Sequence, residues 1–189
     1  MRQIREVKGI RVEYEEHGAT GFYEQFGEDY RNPHEPIICE ILHRAASQWN
    51  FDLPHWRVLD LACGSGEATL ALCELGAKSI DGFDPYTSAA YFKRTQQHAE
   101  AVSFADIASG VLQARRYDLC VCSFALHLSP PSLLPLLCWQ LATSCARLLV
   151  LTPHKRPHIS SNWGWNLKGE MIEQRVRAQF YESAIIRSG

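Results

Sequence analysis

The stretch VLDLACGSG, from Val58 to Gly66, decides the fold of this chain. An apolar strand ends at an acidic residue and runs directly into two closely spaced glycines, and residues 67–75 then carry apolar side chains at helical spacing. Glycines let the backbone turn tightly and approach a ligand, and the following helix directs free N–H groups at the same place. The stretch therefore predicts a pocket for a nucleotide-like ligand. A dinucleotide motif has a third glycine where this chain has Thr69, so the sequence disfavours NAD.

Further acidic residues follow the next predicted strands. Residues 78–83 form a short apolar-rich segment that ends at Asp84, which lies 18 residues beyond Gly66 and close to the ~20 at which an acidic residue meets ribose hydroxyls. Residues 101–105 predict a strand that ends at Asp106, and strands are also predicted over 117–124 and 147–152. Because ligands bind outside the carboxyl ends of parallel strands, these groups are expected to meet at one edge of a sheet.

These motifs resemble the class I S-adenosylmethionine-dependent methyltransferases, whose first motif is an apolar strand, an acidic residue and G-x-G, often with Ala-Cys before the first glycine as here. The resemblance covers about residues 20–153. It implies an α/β fold: a three-layer Rossmann-like sandwich with a mostly parallel central sheet, an N-terminal helical lid and an antiparallel closing strand. It also implies S-adenosyl-L-methionine as cofactor and S-adenosyl-L-homocysteine as product.

The resemblance gives each candidate residue a role. Asp60 would lie near the sulfonium, Asp84 would accept from the ribose hydroxyls, and Ser123 would face the reactive methyl group. Asp106 and Ile107 would contact the adenine. The full expected cofactor-binding set is Tyr23, Tyr30, Asp60, Ala62, Gly64, Gly66, Asp84, Pro85, Asp106, Ile107 and Ser123. Each has a plainer alternative, since an Asp at a strand end also starts turns or caps helices, and the two tyrosines could be simple packing residues.

His127 is the candidate catalytic residue. It lies four residues beyond Ser123, and an ordinary histidine pKa of about 6.5 suits a general base. A structural role is the alternative, because histidines after the fourth strand also occur in the family as loop residues. His34 and His154 are weaker candidates from the lid and from the loop after the fifth strand.

Length and composition predict a single domain. A chain of 189 residues with 46% hydrophobic content can bury one good core. We divide it into an arm and lid (1–34), a cofactor-binding core (35–152) and a closing segment (153–189), with a first core helix over about 35–49. Residues 172–181 alternate between apolar and polar side chains, which predicts a strand. The closing segment is short for a helix plus a hairpin, so one element is expected to be missing or irregular.

Charge and cysteine content indicate which partners and which redox environment suit the protein. The net charge of −2 gives no general attraction to nucleic acid or anionic membranes. The seven cysteines fall mostly in predicted core elements, which indicates buried thiols in a reducing, cytoplasmic environment. Without a Cys-x-x-Cys pair or a His-rich cluster, no metal site is expected. The apolar run 133–151 predicts a buried helix and strand rather than a membrane span, and the oligomeric state stays open.

Three functions remain open at this stage. The favoured one is methyl transfer to a small-molecule acceptor, because no added recognition domain is visible. An RNA or tRNA methyltransferase is the second, suggested by a basic C-terminal region with two tryptophans for base stacking: Lys155, Arg156, Arg175, Arg177, Trp163 and Trp165. The third is a non-catalytic partner protein that only binds S-adenosylmethionine. The absence of Asn/Asp-Pro-Pro-Tyr after the fourth strand and of any Pro-Cys pair disfavours two classes of base methylation.

Overall fold

The computed structural model describes residues 31–186, in which helices and strands alternate along the chain. The helices are α1 (Glu35–Gln48), α2 (Glu67–Glu74), α3 (Ser88–Thr95), α4 (Phe104–Ala108) and α5 (Leu134–Ser144). The strands are β1 (Arg57–Leu61), β2 (Ser79–Phe83), β3 (Ala99–Glu100), β4 (Leu119–Ser123), β5 (Arg147–Thr152), β6 (Trp165–Glu173) and β7 (Val176–Ser183).

The seven strands form one sheet in the order β3-β2-β1-β4-β5-β7-β6. Strands β1 to β5 pair in parallel, whereas β7 runs antiparallel to β5 and to β6. This confirms the predicted mostly parallel sheet. The chain moves outward from β1 to β3 and then returns to add β4 on the other side of β1. The carboxyl ends of β1 and β4 therefore form the switch point at which open α/β sheets bind ligands.

Helices cover both faces of the sheet and give three layers. On one face, α1 and α2 pack against alternate residues of the central strands, such as Val121 and Leu149. On the other face, α4 and α5 pack against the intervening residues of the same strands, such as Cys120 and Val150. Because both faces are buried, the central strands carry nearly continuous apolar runs, as expected for parallel sheets. The buried helix predicted within the apolar run 133–151 and the strand predicted over 147–152 are confirmed.

The closing segment contains two antiparallel strands instead of the one predicted over 172–181. Strands β6 and β7 form a hairpin whose two turn residues, Gln174 and Arg175, both have positive φ, as a two-residue type I′ turn requires. The missing element is the helix, since a loop and a single 3₁₀ turn at Ser161–Trp163 connect β5 to β6. Trp165 is fully buried and donates from Nε1 to the Cys138 carbonyl at 2.9 Å, so the prediction of an exposed stacking side chain is wrong for it.

The strand predicted over 101–105 is wrong. Strand β3 ends at Glu100, and Ser103 caps the start of the short helix α4. The Ser103 hydroxyl accepts from the Asp106 N–H, while the Asp106 carboxylate accepts from the Ser103 N–H at 2.9 Å. This reciprocal capping box commits residues 103–106 to a helix start, and its Ser-x-x-Asp spacing is visible in the sequence.

Residues 1–30 of the proposed arm and lid, with Tyr23 and Tyr30, lie outside the described residues. Among helices within 31–186, none has the length and apolar character needed to cross a membrane.

Gly66 is fixed by its conformation and by its neighbours. It precedes α2 with φ 89°, a left-handed conformation that side chains disfavour. A Cβ at this position would lie 2.4 Å from Thr95 Cγ2 and 3.3 Å from the Tyr91 ring. The glycine loop can therefore lie close to α3 only because residue 66 has no side chain.

A buried hydrogen-bonded group connects β1 with α2 and α3 beneath this loop. The Thr69 hydroxyl donates to Asp60 Oδ2 at 2.7 Å and lies 3.0 Å from the Tyr91 hydroxyl. Asp60 is completely buried, and its Oδ1 has no partner among the described residues. Burial raises the pKa of Asp60 to about 7, and the nearby Glu67 carboxylate acts in the same direction. The pKa is raised because a buried carboxylate is costly to ionise.

Replacing Gly66 with Ala should destabilise the fold more than the same change at Gly76. Both glycines have positive φ, which costs Ala about 1–2 kcal/mol. Only Gly66 also meets a steric clash, worth about 1–3 kcal/mol more, because the Cβ at Gly76 would make an ordinary 3.4 Å contact with Pro54. Urea unfolding of both variants measures the difference, and equal losses would contradict the packing role of Gly66.

Replacing Asp60 with Asn should change how stability depends on pH. The unfolded chain releases the Asp60 proton near its ordinary pKa, whereas the folded state holds it to about pH 7. The folded state therefore binds more protons in this window, and wild-type stability falls as pH rises through it. Between pH 5 and pH 8 the Asn variant should gain about 2–3 kcal/mol relative to wild type in urea unfolding.

The exposed Asp106, replaced with Asn, is the control. Hydrogen bonds from Ser103 lower the pKa of Asp106, so its contribution should not change between pH 5 and pH 8. If the free energies of unfolding of wild type and the Asp60 variant differ by a constant amount over that range, Asp60 of the folded protein is already ionised at pH 5.

Candidate functional site

A cavity of about 380 Å³ opens at the carboxyl ends of β1, β2 and β4. This volume lies in the range of about 300–1,000 Å³ typical of small-molecule sites. Its lining comes from the chain before α1 and from the loops after β1, β2, β3 and β4, so it lies at the switch point of the sheet. The lining residues are Asn32, Leu61, Ala62, Cys63, Gly64, Glu67, Asp84, Pro85, Tyr86, Val102, Ser103, Phe104, Ala105, Ser123, Phe124, Ala125, Leu128, Pro130 and Leu133.

Asp84 holds the loops after β1 and β2 together. Its Oδ2 accepts from the Gly64 N–H at 3.2 Å, and its Oδ1 accepts from the N–H groups of Tyr86 and Thr87 at 2.9 and 3.1 Å. The Thr87 hydroxyl donates to the Gly64 carbonyl at 2.7 Å, and this second hydrogen bond also fixes the loop after β1. A carboxylate has about four acceptor sites, so Asp84 keeps capacity for a ligand in the cavity. Burial raises the pKa of Asp84, an effect that the three N–H groups partly offset.

Glu67 connects the glycine loop with α1 and α3. This buried carboxylate accepts from the Asn32 N–H at 2.9 Å, from the Ser65 hydroxyl and from Arg94 at 3.0 Å. Arg94 also pairs with Glu35 at the start of α1. The group therefore fixes the chain segment before α1 against the mouth of the cavity. Sequence reasoning missed Glu67 and Asn32 as lining residues.

Two non-glycine residues with left-handed backbone lie in the cavity wall. Ala62 and Phe124 both have φ 56°, directly after the neighbouring strands β1 and β4. Such conformations cost about 1–3 kcal/mol and cluster at functional sites. Phe124 stacks on His34, with ring centroids 4.9 Å apart. The strained backbone turns both loops so that they border the cavity, and it supports a ligand-binding role for this edge.

The apolar part of the wall differs from the prediction at one place. Val102, Ser103, Phe104 and Ala105 line the cavity, but Asp106 and Ile107 do not. Asp106 is exposed and is occupied in capping α4, and Ile107 is fully buried in the core below. The prediction that Asp106 and Ile107 form the adenine contact rested on a strand that does not exist, so residues 102–105 replace them as candidates.

The other predicted residues divide into lining and supporting positions. Ala62, Gly64, Asp84, Pro85 and Ser123 line the cavity. Asp60 lies beneath the loop and Gly66 is its last residue, and both support its shape without lining the cavity.

His127 lies on a 3₁₀ turn, Leu126–Leu128, just outside the cavity lining. Its ring centroid is 4.4 Å from that of His154, and its buried Nδ1 has no partner among the described residues. Burial, together with the neighbouring His154, lowers the pKa of His127 to about 4. The side chain is therefore neutral at pH 7 and a weaker base than the ordinary histidine assumed for the predicted catalytic role, which stays a prediction.

One group of side chains within 31–186 has the composition of a metal site, away from the cavity. Cys39 and His43 lie one turn apart on α1, and both are 3.8 Å from Glu74 on α2. No metal site was expected from the sequence, which has neither a Cys-x-x-Cys pair nor a His-rich cluster. A Cys-x-x-x-His spacing places both side chains on one helix face, which is the signal that would have identified this group.

The cavity lining suits some ligands better than others. It contains the carboxylates of Asp84 and Glu67, and no lysine or arginine of the described residues lines it. A diphosphate would be repelled here, whereas a hydroxyl-bearing and positively charged ligand would be favoured. The apolar side chains of Val102, Phe104 and Leu133 offer a surface for an aromatic ring. These features fit S-adenosylmethionine, with its adenine, ribose and sulfonium, and disfavour a dinucleotide.

Comparisons with known proteins agree with this geometry. Residues 58–149 match the model of a methyltransferase domain family. An uncharacterized protein of Schizosaccharomyces pombe is 30% identical, and the match covers 91% of each chain.

Solved structures share the fold. The magnesium protoporphyrin IX methyltransferase of Synechocystis, with S-adenosylmethionine bound, has a TM-score of 0.62 at 16% identity and covers 96% of this chain and 100% of its own. The ribosomal protein L11 methylase of Lactobacillus delbrueckii has a TM-score of 0.57 at 16% identity, covering 82% and 80%. The names of these proteins indicate a porphyrin and a protein as acceptors, so fold similarity leaves the acceptor open. From its family-model match, its fold and its glycine loop, the chain belongs to the class I S-adenosylmethionine-dependent methyltransferases.

Proposed function

We propose that this protein transfers a methyl group from S-adenosylmethionine to a small-molecule acceptor. The observation that carries the proposal is the cavity at the switch point of the sheet, with the Asp84 carboxylate at the end of β2 and an apolar slot after β3. When bound, S-adenosylmethionine supplies an electrophilic methyl group on its sulfonium.

The lining residues divide the binding task among three loops. Asp84 accepts from a ribose hydroxyl, since about one acceptor site of its carboxylate stays free beside the three N–H groups that it binds. Val102 and Phe104 contact the adenine. Gly64 allows the loop after β1 to approach the ligand without a side chain.

Glu67 and Asp84 together supply negative charge toward a cationic ligand. Asn32, held by Glu67, closes the mouth from the α1 side.

The acceptor side of the site lies beyond Ser123 and Phe124. These residues end β4, next to β1, and continue into the turn with His127. Because His127 is neutral and weakly basic, we assign the main contribution of the chain to alignment of the acceptor with the cavity. An acceptor whose nucleophile is already deprotonated, or loses its proton to water, needs no stronger base. His127 then shapes the wall of the acceptor site.

The two alternative functions, RNA methylation and non-catalytic binding, would need other structural features. Trp165 lies at the β6 end next to Ser183, far along the hairpin from its turn, and it is buried. It therefore offers no stacking surface to RNA. A non-catalytic binding partner would need no acceptor path, whereas the cavity here is open and is bordered on one side by residues at and after the end of β4. Transfer of labelled methyl groups to a metabolite fraction, with none to RNA or protein fractions, would support the proposal against both.

The first test of the proposal is binding of S-adenosylhomocysteine by calorimetry, with Asp84 as the key position. Asp84→Asn should weaken binding by about 10- to 100-fold, because a hydrogen bond to a charged group contributes about 1.5–3 kcal/mol. Absence of binding by wild type would contradict the proposal itself.

Thr87→Val is the matched control for loop support. Thr87 holds Gly64 without lining the cavity, so its loss should lower the thermal midpoint and weaken affinity much less than Asp84→Asn does. Equal loss of affinity in both variants would show that Asp84 acts only by holding the loop.

A further inference from the structure

A second groove lies beside the acceptor side of the cavity. It encloses about 210 Å³ and is lined by Pro153, His154, Lys155, Ile172, Arg175 and Arg177. The first three residues follow β5, and the others belong to the β6–β7 hairpin. Because Arg177 pairs with Thr152 at the end of β5, the hairpin turn lies at the same edge of the sheet as the cavity.

The groove carries positive charge that the protein does not neutralise. Lys155 and Arg175 are exposed and make no hydrogen bond or ion pair within the described residues. Arg177 differs, because it pairs with Glu170 on β6. Two unpaired cations, held together by the hairpin turn and the loop after β5, favour an anion between them.

Two histidines connect the groove with the cavity. His154 lines the groove, and its ring lies 4.4 Å from His127. His127 belongs to the turn whose neighbours Ala125 and Leu128 line the cavity. A molecule of modest length that occupied the groove would therefore pass the two imidazoles before reaching the cavity.

We propose that this groove binds the acidic group, a phosphate or a carboxylate, of the methyl acceptor. The acceptor extends from Lys155 and Arg175 across the histidine pair, and its nucleophile reaches the cavity. The inference rests on the proposed function and deepens it, because it assigns the acceptor to small anionic molecules.

The surroundings favour a small anion over RNA. Carboxylates lie close to the groove: Glu170 pairs with Arg177, Glu173 pairs with Arg44, and Glu40 accepts from the turn residue Gln174. An RNA backbone would need a series of cations along its path, and its phosphates would meet these carboxylates instead. A single acidic group needs only the two unpaired cations.

The test uses the complete protein saturated with S-adenosylhomocysteine. Inorganic phosphate and, separately, succinate are titrated while backbone amide shifts are followed by NMR. Shifts that saturate and centre on His154, Lys155 and Arg175 are expected, and the tighter of the two probes identifies the preferred acidic group. The double variant Lys155→Ala/Arg175→Ala should weaken the response about tenfold or more.

Arg116→Ala/Lys168→Ala is the matched control, because it removes the same charge elsewhere. Arg116 contacts only backbone carbonyls before β4, and Lys168 pairs with Glu182 on the hairpin. The control should respond to both probes like wild type, and both variants should bind S-adenosylhomocysteine like wild type. Failure of S-adenosylhomocysteine binding in wild type would refute the proposed function, whereas intact binding without groove shifts would refute only this inference.

An RNA oligonucleotide completes the experiment. Tighter binding of the oligonucleotide than of either anion, lost in the groove variant and kept in the control, would overturn the small-anion assignment in favour of nucleic acid. With an anionic metabolite fraction as acceptor, the groove variant should show a raised KM for the acceptor and an unchanged KM for S-adenosylmethionine. An unchanged acceptor KM would also overturn the inference.

Discussion

The site depends on how the glycine loop between β1 and α2 is held. Asp84 and Thr87 bind Gly64 from the β2 side, and Glu67 with Arg94 fixes the other end of the loop against α1 and α3. Gly66 allows this arrangement because α3 lies where its side chain would be. Hydrogen bonds and close packing thus fix the loop in the protein itself, so that little ordering remains to be done when a ligand binds.

The same arrangement explains the electrostatics of the cavity. Glu67 and Asp84 line the cavity and the buried Asp60 lies beneath the loop, while no cationic side chain of the described residues lines the cavity. Burial works against ionisation of Asp60 and Asp84, as their raised pKa values show. A cationic ligand in this space would favour the ionised forms. Ligand charge and the protonation of the site are therefore linked.

The sequence allowed prediction of the elements whose signals are local. The glycine loop, helix α1 and strands β1, β2, β4 and β5 follow from apolar spacing and from glycine placement, and the structure has them. The strand over 101–105 failed because an apolar run was given more weight than the Ser103–Asp106 capping pattern. The exposure of Trp165 could not be read from the sequence, since its burial depends on the distant Cys138 carbonyl. The basic groove could not be predicted from the sequence either. It forms because β7 pairs with β5, and residue spacing along the chain does not reveal that pairing.

The central claim is that the cavity at the β1 and β4 ends holds S-adenosylmethionine in the orientation set by Asp84 and residues 102–105. A crystal structure with S-adenosylhomocysteine measures this directly. The account predicts ribose hydroxyls within hydrogen-bond distance of Asp84, the adenine against Val102 and Phe104, and no contact with Asp106. A ligand bound elsewhere, or one whose adenine contacts Asp106 instead of Phe104, would contradict it.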